Sequence, residues 1–166
     1  SFAVSGNELA IDSSGVLTFN SAPDYETKTS YTTTITASDG AGNSSSQSIT
    51  VSINNIDDEA PSITSSSSFS ADENQTAIGT VTATDVDNLD TSATISFTVS
   101  GDELAIDSSG VLTFNSAPDY ETKTSYTTTI TASDGAGNSS TQNVTVNVNN
   151  LNDNSPVFTS DATFSA

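Results

Sequence analysis

Residues 124–150 read TSYTTTITASDGAGNSSTQNVTVNVNN and contain two runs in which apolar and polar side chains alternate. Because successive side chains of a β-strand point to opposite sides, alternate positions share one face. These positions are Tyr126, Thr128, Ile130 and Ala132 in the first run and Val144, Val146 and Val148 in the second. The polar segment Asp134–Asn138 between the runs contains two glycines, as turns do. The stretch therefore predicts two long antiparallel strands, over residues 124–133 and 141–150.

Five further segments carry strand signals, and no stretch keeps a helical period. They cover residues 62–71, 77–85, 93–100, 103–107 and 111–115. Turn residues separate them, for example Gly101-Asp102 and Asp107-Ser108-Ser109-Gly110. Seven strands without intervening helices predict an all-β fold, a seven-stranded antiparallel Greek-key β-sandwich of the immunoglobulin-like type.

The same pattern occurs twice in tandem. A shift of 95 positions aligns residues 1–71 with residues 96–166 without a gap, and 55 of the 71 pairs are identical. This period fits one sandwich domain and exceeds the roughly 20 to 50 residues of a solenoid repeat. We read residues 1–58 as the C-terminal part of one repeat, 59–153 as a complete repeat and 154–166 as the first strand of the next. With these repeat boundaries, we expect either a segment of a continuous filament or chains that complete one another's hydrophobic cores.

The composition excludes several classes of function. The chain has 21 acidic and 2 basic residues, a net charge of −19, and no His, Cys, Met or Trp. Without His or Cys it has no Ser-His-Asp triad, zinc finger or disulfide. Nucleic acid and anionic membranes are held mainly by Lys and Arg, so neither is an expected partner. No apolar run approaches the roughly 20 residues of a membrane span, so we expect no direct membrane insertion and a segment that is soluble or a piece of something secreted.

The acidic residues gather at strand ends and between repeats. The clusters are Asp24 with Glu26, Asp57-Asp58-Glu59, Asp85 with Asp87, and Asp134. Loops converge at each end of a sandwich, and two carboxylates about 4 Å apart repel by about 1 to 4 kcal/mol at effective dielectrics of about 80 to 20. Calcium takes about 6 to 8 oxygen ligands from such flexible loops. The sequence therefore predicts Ca²⁺ as the bound ion.

Five motifs follow one another within a single period. In chain order they are Ala71-Asp72-Glu73-Asn74, Ala83-Thr84-Asp85-Val86-Asp87, Asp119-Tyr120-Glu121, Thr131-Ala132-Ser133-Asp134-Gly135 and Asn152-Asp153-Asn154-Ser155-Pro156-Val157-Phe158. Their order resembles the cadherin repeat, over the whole period. The near-identical copies, rich in Ser and Thr and lacking Cys and Trp, look more like the arrays of giant bacterial surface adhesins than like animal cadherins.

The resemblance implies calcium between successive domains, with a set of ligands at each junction. The junction within the chain takes Asp24, Glu26, Asn55, Asp57 and Asp58 from the upper repeat and Asp85, Asp87 and Asp134 from the next. The following junction takes Glu73, Asp119, Glu121, Asn150, Asn152 and Asp153, and Asp39 belongs to the preceding one.

The linker motif departs from the family pattern. Asn55 and Asn150 stand where an Asp usually opens the linker, Asp57 stands where Asn is usual, and Glu59 replaces the last Asn. An Asn offers a carbonyl oxygen but no charge, so the number of ions and their affinity stay open.

We expect a calcium-dependent extender of a cell-surface adhesin, rigidified by Ca²⁺ between neighbouring repeats of the same chain. The alternatives are repeats that themselves adhere, to the same protein on other cells or chains or to glycans, and a calcium-free immunoglobulin-like spacer. The pair Asp119 and Glu121 has the residue types of a glycosidase. However, the pair recurs as Asp24 and Glu26 with no aromatic-lined pocket evident, so we do not expect an enzyme.

Overall fold

The computed structural model describes residues 1–86, 95–160 and 163. The chain divides into two compact units. Within the described residues, unit 1 consists of Ser1–Glu59 with Asp85 and Val86, and unit 2 consists of Ala60–Thr84 and the residues from position 95 onward. Over these same ranges, no helix is long and apolar enough to cross a bilayer.

In its described residues, unit 1 contains five strands, all paired antiparallel. They are β1 (Phe2–Val4), β2 (Leu9–Ile11), β3 (Leu17–Phe19), β4 (Ser30–Ser38) and β5 (Ser44–Ser52). Strands β1, β4 and β5 form one sheet in that order, and β2 pairs with β3. These strands are the counterparts, 95 positions earlier, of the last five strands of unit 2.

Unit 2 contains nine strands within the described ranges. They are β6 (Ser62–Ile63), β7 (Ser68–Asp72), β8 (Ala77–Thr80), β9 (Ala83–Thr84), β10 (Ser96–Val99), β11 (Leu104–Ile106), β12 (Val111–Phe114), β13 (Ser125–Ser133) and β14 (Ser139–Asn149). One sheet has the order β10-β13-β14-β7, a second has β11-β12-β8, and β6 pairs with β9. The long pair predicted from residues 124–150 is β13 and β14, in register from Ser125 opposite Asn147 to Ser133 opposite Ser139.

The core of unit 2 lies between its two main sheets. Leu104, Leu112 and Phe114 come from one sheet, and Ile130 and Val146 come from the other. The side chains predicted to share a face of β13 and β14 are turned inward, so the alternating pattern marks the core as expected. The all-β sandwich is therefore confirmed.

The first predicted strand, over residues 62–71, is divided into β6 and β7. Strand β6 pairs with β9, whereas β7 pairs with β14. The chain therefore passes from one sheet to another between β6 and β7. The Ser66 hydroxyl donates to Ser68 O and accepts a bond from Ser68 N, which gives the crossing a local turn. Strand β7 runs parallel to β14, so this pairing departs from the predicted antiparallel arrangement.

The second predicted strand, over residues 77–85, is also divided, into β8 and β9. Val81 lies between them, is almost fully buried, and donates its N–H to Gly110 O at 2.8 Å. Gly110 has a φ of +86°, and a Cβ atom at this position would lie 2.2 Å from Val81 O. Only glycine satisfies both the left-handed backbone and this close approach.

We expect Gly110→Ala to lower the free energy of unfolding of unit 2 by about 2 to 3 kcal/mol, measured by chemical denaturation. Gly15→Ala is the matched control in unit 1. Gly15 also has a φ of +86°, but its Cβ would meet only the Phe2 side chain, at 3.5 Å. This variant should lose only the backbone contribution, about 1 kcal/mol. Equal losses at the two positions would contradict the role given to the Val81 contact.

An aspartate organises the turn between β11 and β12. The Asp107 carboxylate accepts hydrogen bonds from the Ser109 hydroxyl at 2.7 Å and from the N–H groups of Val111 and Ser109, each at 2.9 Å. These bonds, with that from the Ser109 hydroxyl the largest contribution, lower the pKa of Asp107 below its ordinary value. The turn is therefore held most firmly when Asp107 is ionised.

A group with a lowered folded-state pKa stabilises the fold above its unfolded-state pKa, and this stabilisation is lost as the pH falls through the folded-state pKa. We therefore expect Asp107→Ala to lower Tm at pH 7 and to change it less in acid, below the folded-state pKa of Asp107. Carboxyl-carbon NMR titration should show Asp107 ionising at lower pH than an ordinary aspartate. An ordinary titration, or a pH-independent difference in Tm, would contradict the expectation.

Candidate metal centre

The turn between β12 and β13 presents Asp119 and Glu121. Asp119 holds the turn, because its carboxylate accepts bonds from Glu121 N at 3.0 Å and from the Thr122 hydroxyl at 2.9 Å. The repeat-equivalent turn of unit 1 is built in the same way, with Asp24 accepting from Glu26 N at 3.0 Å and from the Thr27 hydroxyl. Both pairs of predicted ligands are thus exposed at a turn that the first aspartate of the pair keeps in shape.

Glu73 directly follows β7 and is buried, with 2% of its surface exposed. Its Oε1 accepts a hydrogen bond from Leu151 N at 2.7 Å, and its Oε2 accepts one from Tyr120 N at 2.8 Å. The carboxylate therefore joins the end of β7 to the β12–β13 turn and to the segment that follows β14. Each of its oxygens keeps a further lone pair beside these bonds.

Carboxylate oxygens of Glu73, Asp119 and Glu121 all lie within 4.8 Å of one another. Asn150 is beside them, with its Nδ2 3.4 Å from Glu121 Oε1. Thus four of the six residues predicted for the following junction gather at one end of unit 2.

The basic residue of unit 2 does not neutralise this group. Lys123 forms an ion pair with Glu103 at 2.5 Å, and its Nζ lies 4.3 Å from the centre of the Tyr126 ring. Lys28 makes the same contacts with Glu8 and Tyr31 in unit 1. The acidic group has only oxygen donors and excess negative charge, so its residues fit a hard divalent cation such as Ca²⁺.

The last two residues predicted for this junction lie in the exposed segment that follows Asn150. Asp153 Oδ2 accepts a bond from Asn74 Nδ2 at 2.5 Å, and its Oδ1 accepts one from Asn154. Asn152 is exposed in the same segment. The structure adds Asn74, whose role sequence reasoning missed. It has a φ of +65° and donates its N–H to Pro118 O at 2.9 Å. The available signal was its residue type, since Asn adopts this backbone conformation more readily than most.

In unit 1, the predicted ligands Asn55, Asp57 and Asp58 follow β5. Asp57 and Asp85 are half-buried, and each offers a carboxylate oxygen within 4.8 Å of the other. Asp24 and Glu26 lie in the exposed turn between β3 and β4. Asp87 lies outside the described residues.

Asp39 and Asp134 occupy equivalent turns, after β4 and after β13. The Asp134 carboxylate accepts bonds from Gly137 N at 2.7 Å, Asn138 N at 2.8 Å and Asn138 Nδ2 at 2.8 Å. Desolvation is the largest single influence and raises the pKa of Asp134, but these hydrogen bonds outweigh it and the pKa is lowered. Asp39 has a lowered pKa from the same kind of bonds, led by the Asn43 side chain. The carboxylate of each aspartate thus stabilises its own turn. A further role of the two residues as calcium ligands stays a prediction.

Comparison with known proteins identifies the family. The model of the cadherin domain family matches residues 67–149. Human Protocadherin-11 X-linked is 36% identical over 162 residues, which cover 91% of this chain and 12% of that protein. The chain therefore spans about an eighth of the length of this curated relative.

Solved structures of cadherin domains also match this chain. Protocadherin Gamma B2 extracellular cadherin domains 3–6 match with a TM-score of 0.74 and 28% identity, covering 92% of this chain and 41% of that one. The protocadherin gammaB7 EC3–6 cis-dimer matches with a TM-score of 0.72 and 27% identity, covering 92% and 42%. The chain is an extracellular segment, and it belongs to the cadherin family.

Proposed function

We propose that this segment is a calcium-dependent structural extender of a cell-surface adhesin. The observation that carries the proposal is the convergence of Glu73, Asp119 and Glu121 within 4.8 Å at one end of unit 2, where the chain leaves the domain. When bound, a calcium ion neutralises such carboxylates and joins the loops that carry them. A domain end held in this way transmits its orientation to the segment that follows.

The residues of the acidic group have different roles in the proposed calcium site. Glu73 is held by two backbone N–H groups and offers an oriented oxygen with little further loss of side-chain entropy. Asp119 keeps the turn in shape, and Glu121 and Asn150 add donors from two neighbouring segments. Asn152 and Asp153 belong to the same proposed junction.

The proposal extends to the other junctions by repeat equivalence. At the junction between residues 1–58 and 59–153, unit 1 contributes Asp24, Glu26, Asn55, Asp57 and Asp58, and the next repeat contributes Asp85, Asp87 and Asp134. Asp39 serves the preceding junction. Without calcium the acids repel one another and the linker is a loose hinge, whereas with calcium the hinge stiffens.

The source of the adhesin is a further part of the proposal. The 55 identities in 71 aligned pairs and the absence of Cys and Trp support a large bacterial surface protein. The relatives reported above are animal proteins, so their similarity supports the cadherin domain and not this origin. The chemistry proposed for the junctions is the same in either case, and we propose no enzymatic activity.

Direct adhesion by the repeats is the second candidate function. One similar structure, protocadherin gammaB7 EC3–6, is a cis-dimer. Aggregation of beads coated with the 166-residue chain, dependent on calcium and on no other protein, would favour this function over that of a spacer.

Calcium titration tests the extender. For a dissociation constant of about 0.1 mM, about 1 mM calcium adds about 1.4 kcal/mol of stability per site. We expect heat of binding by calorimetry, a higher Tm, and a narrower range of dimensions by small-angle X-ray scattering than in chelator. The double variant Asp119→Asn with Glu121→Gln should lose one class of sites, whereas Asp107→Asn, in the turn at the opposite end of β12, should lose none. Absence of binding, or scattering that calcium does not change, would refute the proposal.

A further inference from the structure

The sequence contains four motifs for N-linked glycosylation, in each of which an Asn is followed two positions later by Ser or Thr with no Pro between them. The motifs are Asn43-Ser44-Ser45, Asn74-Gln75-Thr76, Asn138-Ser139-Ser140 and Asn143-Val144-Thr145. A motif this short also occurs by chance, so it identifies a modified residue only where the structure leaves the side-chain amide accessible. The four asparagines differ in this respect.

At three of the motifs the amide Nδ2 donates a hydrogen bond to a carboxylate. The pairs are Asn43 with Asp39 at 2.8 Å, Asn138 with Asp134 at 2.8 Å and Asn74 with Asp153 at 2.5 Å. Each of these asparagines lies in a turn or directly beside one. A sugar attached to Nδ2 would crowd the carboxylate that this nitrogen contacts. The fold therefore disfavours modification at these three positions.

Asn143 is exposed on the outer face of β14. Val144 is buried in the core, so the residues on either side of it in the strand, Asn143 and Thr145, share the opposite face. Thr129 lies opposite Asn143 on β13 and donates its hydroxyl to Asn143 Oδ1 at 2.8 Å. This bond orients the amide, and Asn143 Nδ2 and the Thr145 hydroxyl have no hydrogen-bond partner among the described residues. Asn143 therefore offers an accessible amide nitrogen.

A shallow cavity of about 420 Å³ lies beside Asn143 on unit 2. Its lining residues include Ser100, Thr127, Thr129 and Thr145. None of the lining residues carries a charge, although the chain has 21 acidic residues. Serine and threonine hydroxyls both donate and accept hydrogen bonds, as the hydroxyls of a sugar do. The surface beside Asn143 therefore suits a neutral sugar.

We propose that Asn143 is the N-glycosylation site of this chain, with the first sugar lying in the cavity beside it. In the transfer, Asn143 Nδ2 forms a bond to the anomeric carbon of a glycosyl phosphate donor. The bond from this carbon to the phosphate oxygen breaks, the phosphate leaves with the bonding electrons, and Nδ2 loses one proton to a base of the transferase. The transferase recognises the Thr145 hydroxyl two positions further along.

Unit 1 provides a matched position without the motif. Ser48 stands 95 positions before Asn143, in the sequence Ser48-Ile49-Thr50. It is exposed on β5 and lies opposite Thr34, as Asn143 lies opposite Thr129. The substitution Ser48→Asn completes the motif in the same kind of strand surface. It therefore tests whether this surface is sufficient for the modification.

Secretion of the 166-residue chain from cultured animal cells, which supply the donor and the transferase, is the test. Peptide-N-glycosidase in heavy-oxygen water converts each glycosylated asparagine of the product into a labelled aspartate, and peptide mass spectrometry then gives the occupancy of each motif. We expect a glycan on Asn143 in most molecules and on the other three asparagines in few. The transfer needs no calcium, so either result leaves the proposed extender function untouched.

Variants at the motif separate recognition of its residues from an effect on folding. Thr145→Val should abolish the glycan on Asn143, whereas Thr145→Ser, which keeps a hydroxyl, should retain part of it. Both substitutions are on the outer face, so the fold should stay intact. Ser48→Asn should gain a second glycan. An unmodified Asn143, equal occupancy at any of the other three motifs, a glycan retained in Thr145→Val, or no second glycan in Ser48→Asn would each overturn the proposal.

Discussion

Ile130→Ala is expected to lower the free energy of unfolding of unit 2 by about 2 to 5 kcal/mol. Ile130 has no exposed surface and lies near the centre of β13. This strand pairs with β10 on one side and with β14 on the other. The substitution removes buried apolar surface and leaves a cavity that neighbouring strands cannot fill without moving. Hydrogen exchange of the β13 and β14 amides in the full chain measures the loss within unit 2 itself.

Ile35→Ala provides a control of the same chemistry. Ile35 is the repeat equivalent of Ile130, but it is only half-buried in unit 1. We expect a loss of about 1 to 2 kcal/mol there, because less surface leaves water on folding. Equal losses at both positions would show that the two units are packed alike, contrary to the burial seen here.

Glu73→Ala is expected to destabilise unit 2 by about 2 to 5 kcal/mol even in chelator. The change removes the acceptor of two backbone N–H groups, those of Leu151 and Tyr120, and each buried donor without a partner costs about 1 to 3 kcal/mol. Glu73→Gln keeps one acceptor oxygen and should lose less. Thermal and denaturant unfolding give the size of the effect, and amide exchange at Leu151 and Tyr120 gives its location.

Glu121→Ala separates the structural role of Glu73 from its proposed metal-binding role. Glu121 is exposed and belongs to the same acidic group. In chelator we expect its loss to change stability by no more than about 0.5 kcal/mol. In calcium, both variants should lack the stabilisation gained by the native chain. A Glu73→Ala variant as stable as the native chain in chelator would contradict the hydrogen-bonding role.

The long strands could be predicted because their signal is local. In β13 and β14 the alternation of Ile130, Ala132, Val144 and Val146 with polar residues is itself the cause of the fold, since these side chains fill the core. The divisions of the first two strands could not be predicted in this way. They depend on which sheet the backbone joins after Ser66 and on how closely Val81 approaches Gly110, and neither contact leaves a periodic pattern.

In the candidate site, too, the local motifs could be predicted and the contacts between distant segments could not. Glu73, Asp119 and Glu121 lie together at one end of unit 2, because loops at a sandwich end converge whatever their separation in sequence, while their role as calcium ligands stays a prediction. They did not reveal that Glu73 is buried and bonded to two backbone groups, nor that Asn74 reaches Asp153. Those contacts depend on the backbone path of residues 149–153, which residue types alone do not specify.

The two lysines have a consequence for the durability of the chain outside a cell. Trypsin-like proteases cleave only after Lys or Arg, and Lys28 and Lys123 are the only two such residues in the sequence. Each forms an ion pair with a glutamate and lies over a tyrosine ring, two positions before a strand that pairs along nine positions. The residue after each lysine, Thr29 or Thr124, accepts a backbone hydrogen bond from Ile53 N or Val148 N. Cleavage at either lysine therefore requires this end of the sheet to open locally, so the segment resists digestion while these bonds hold.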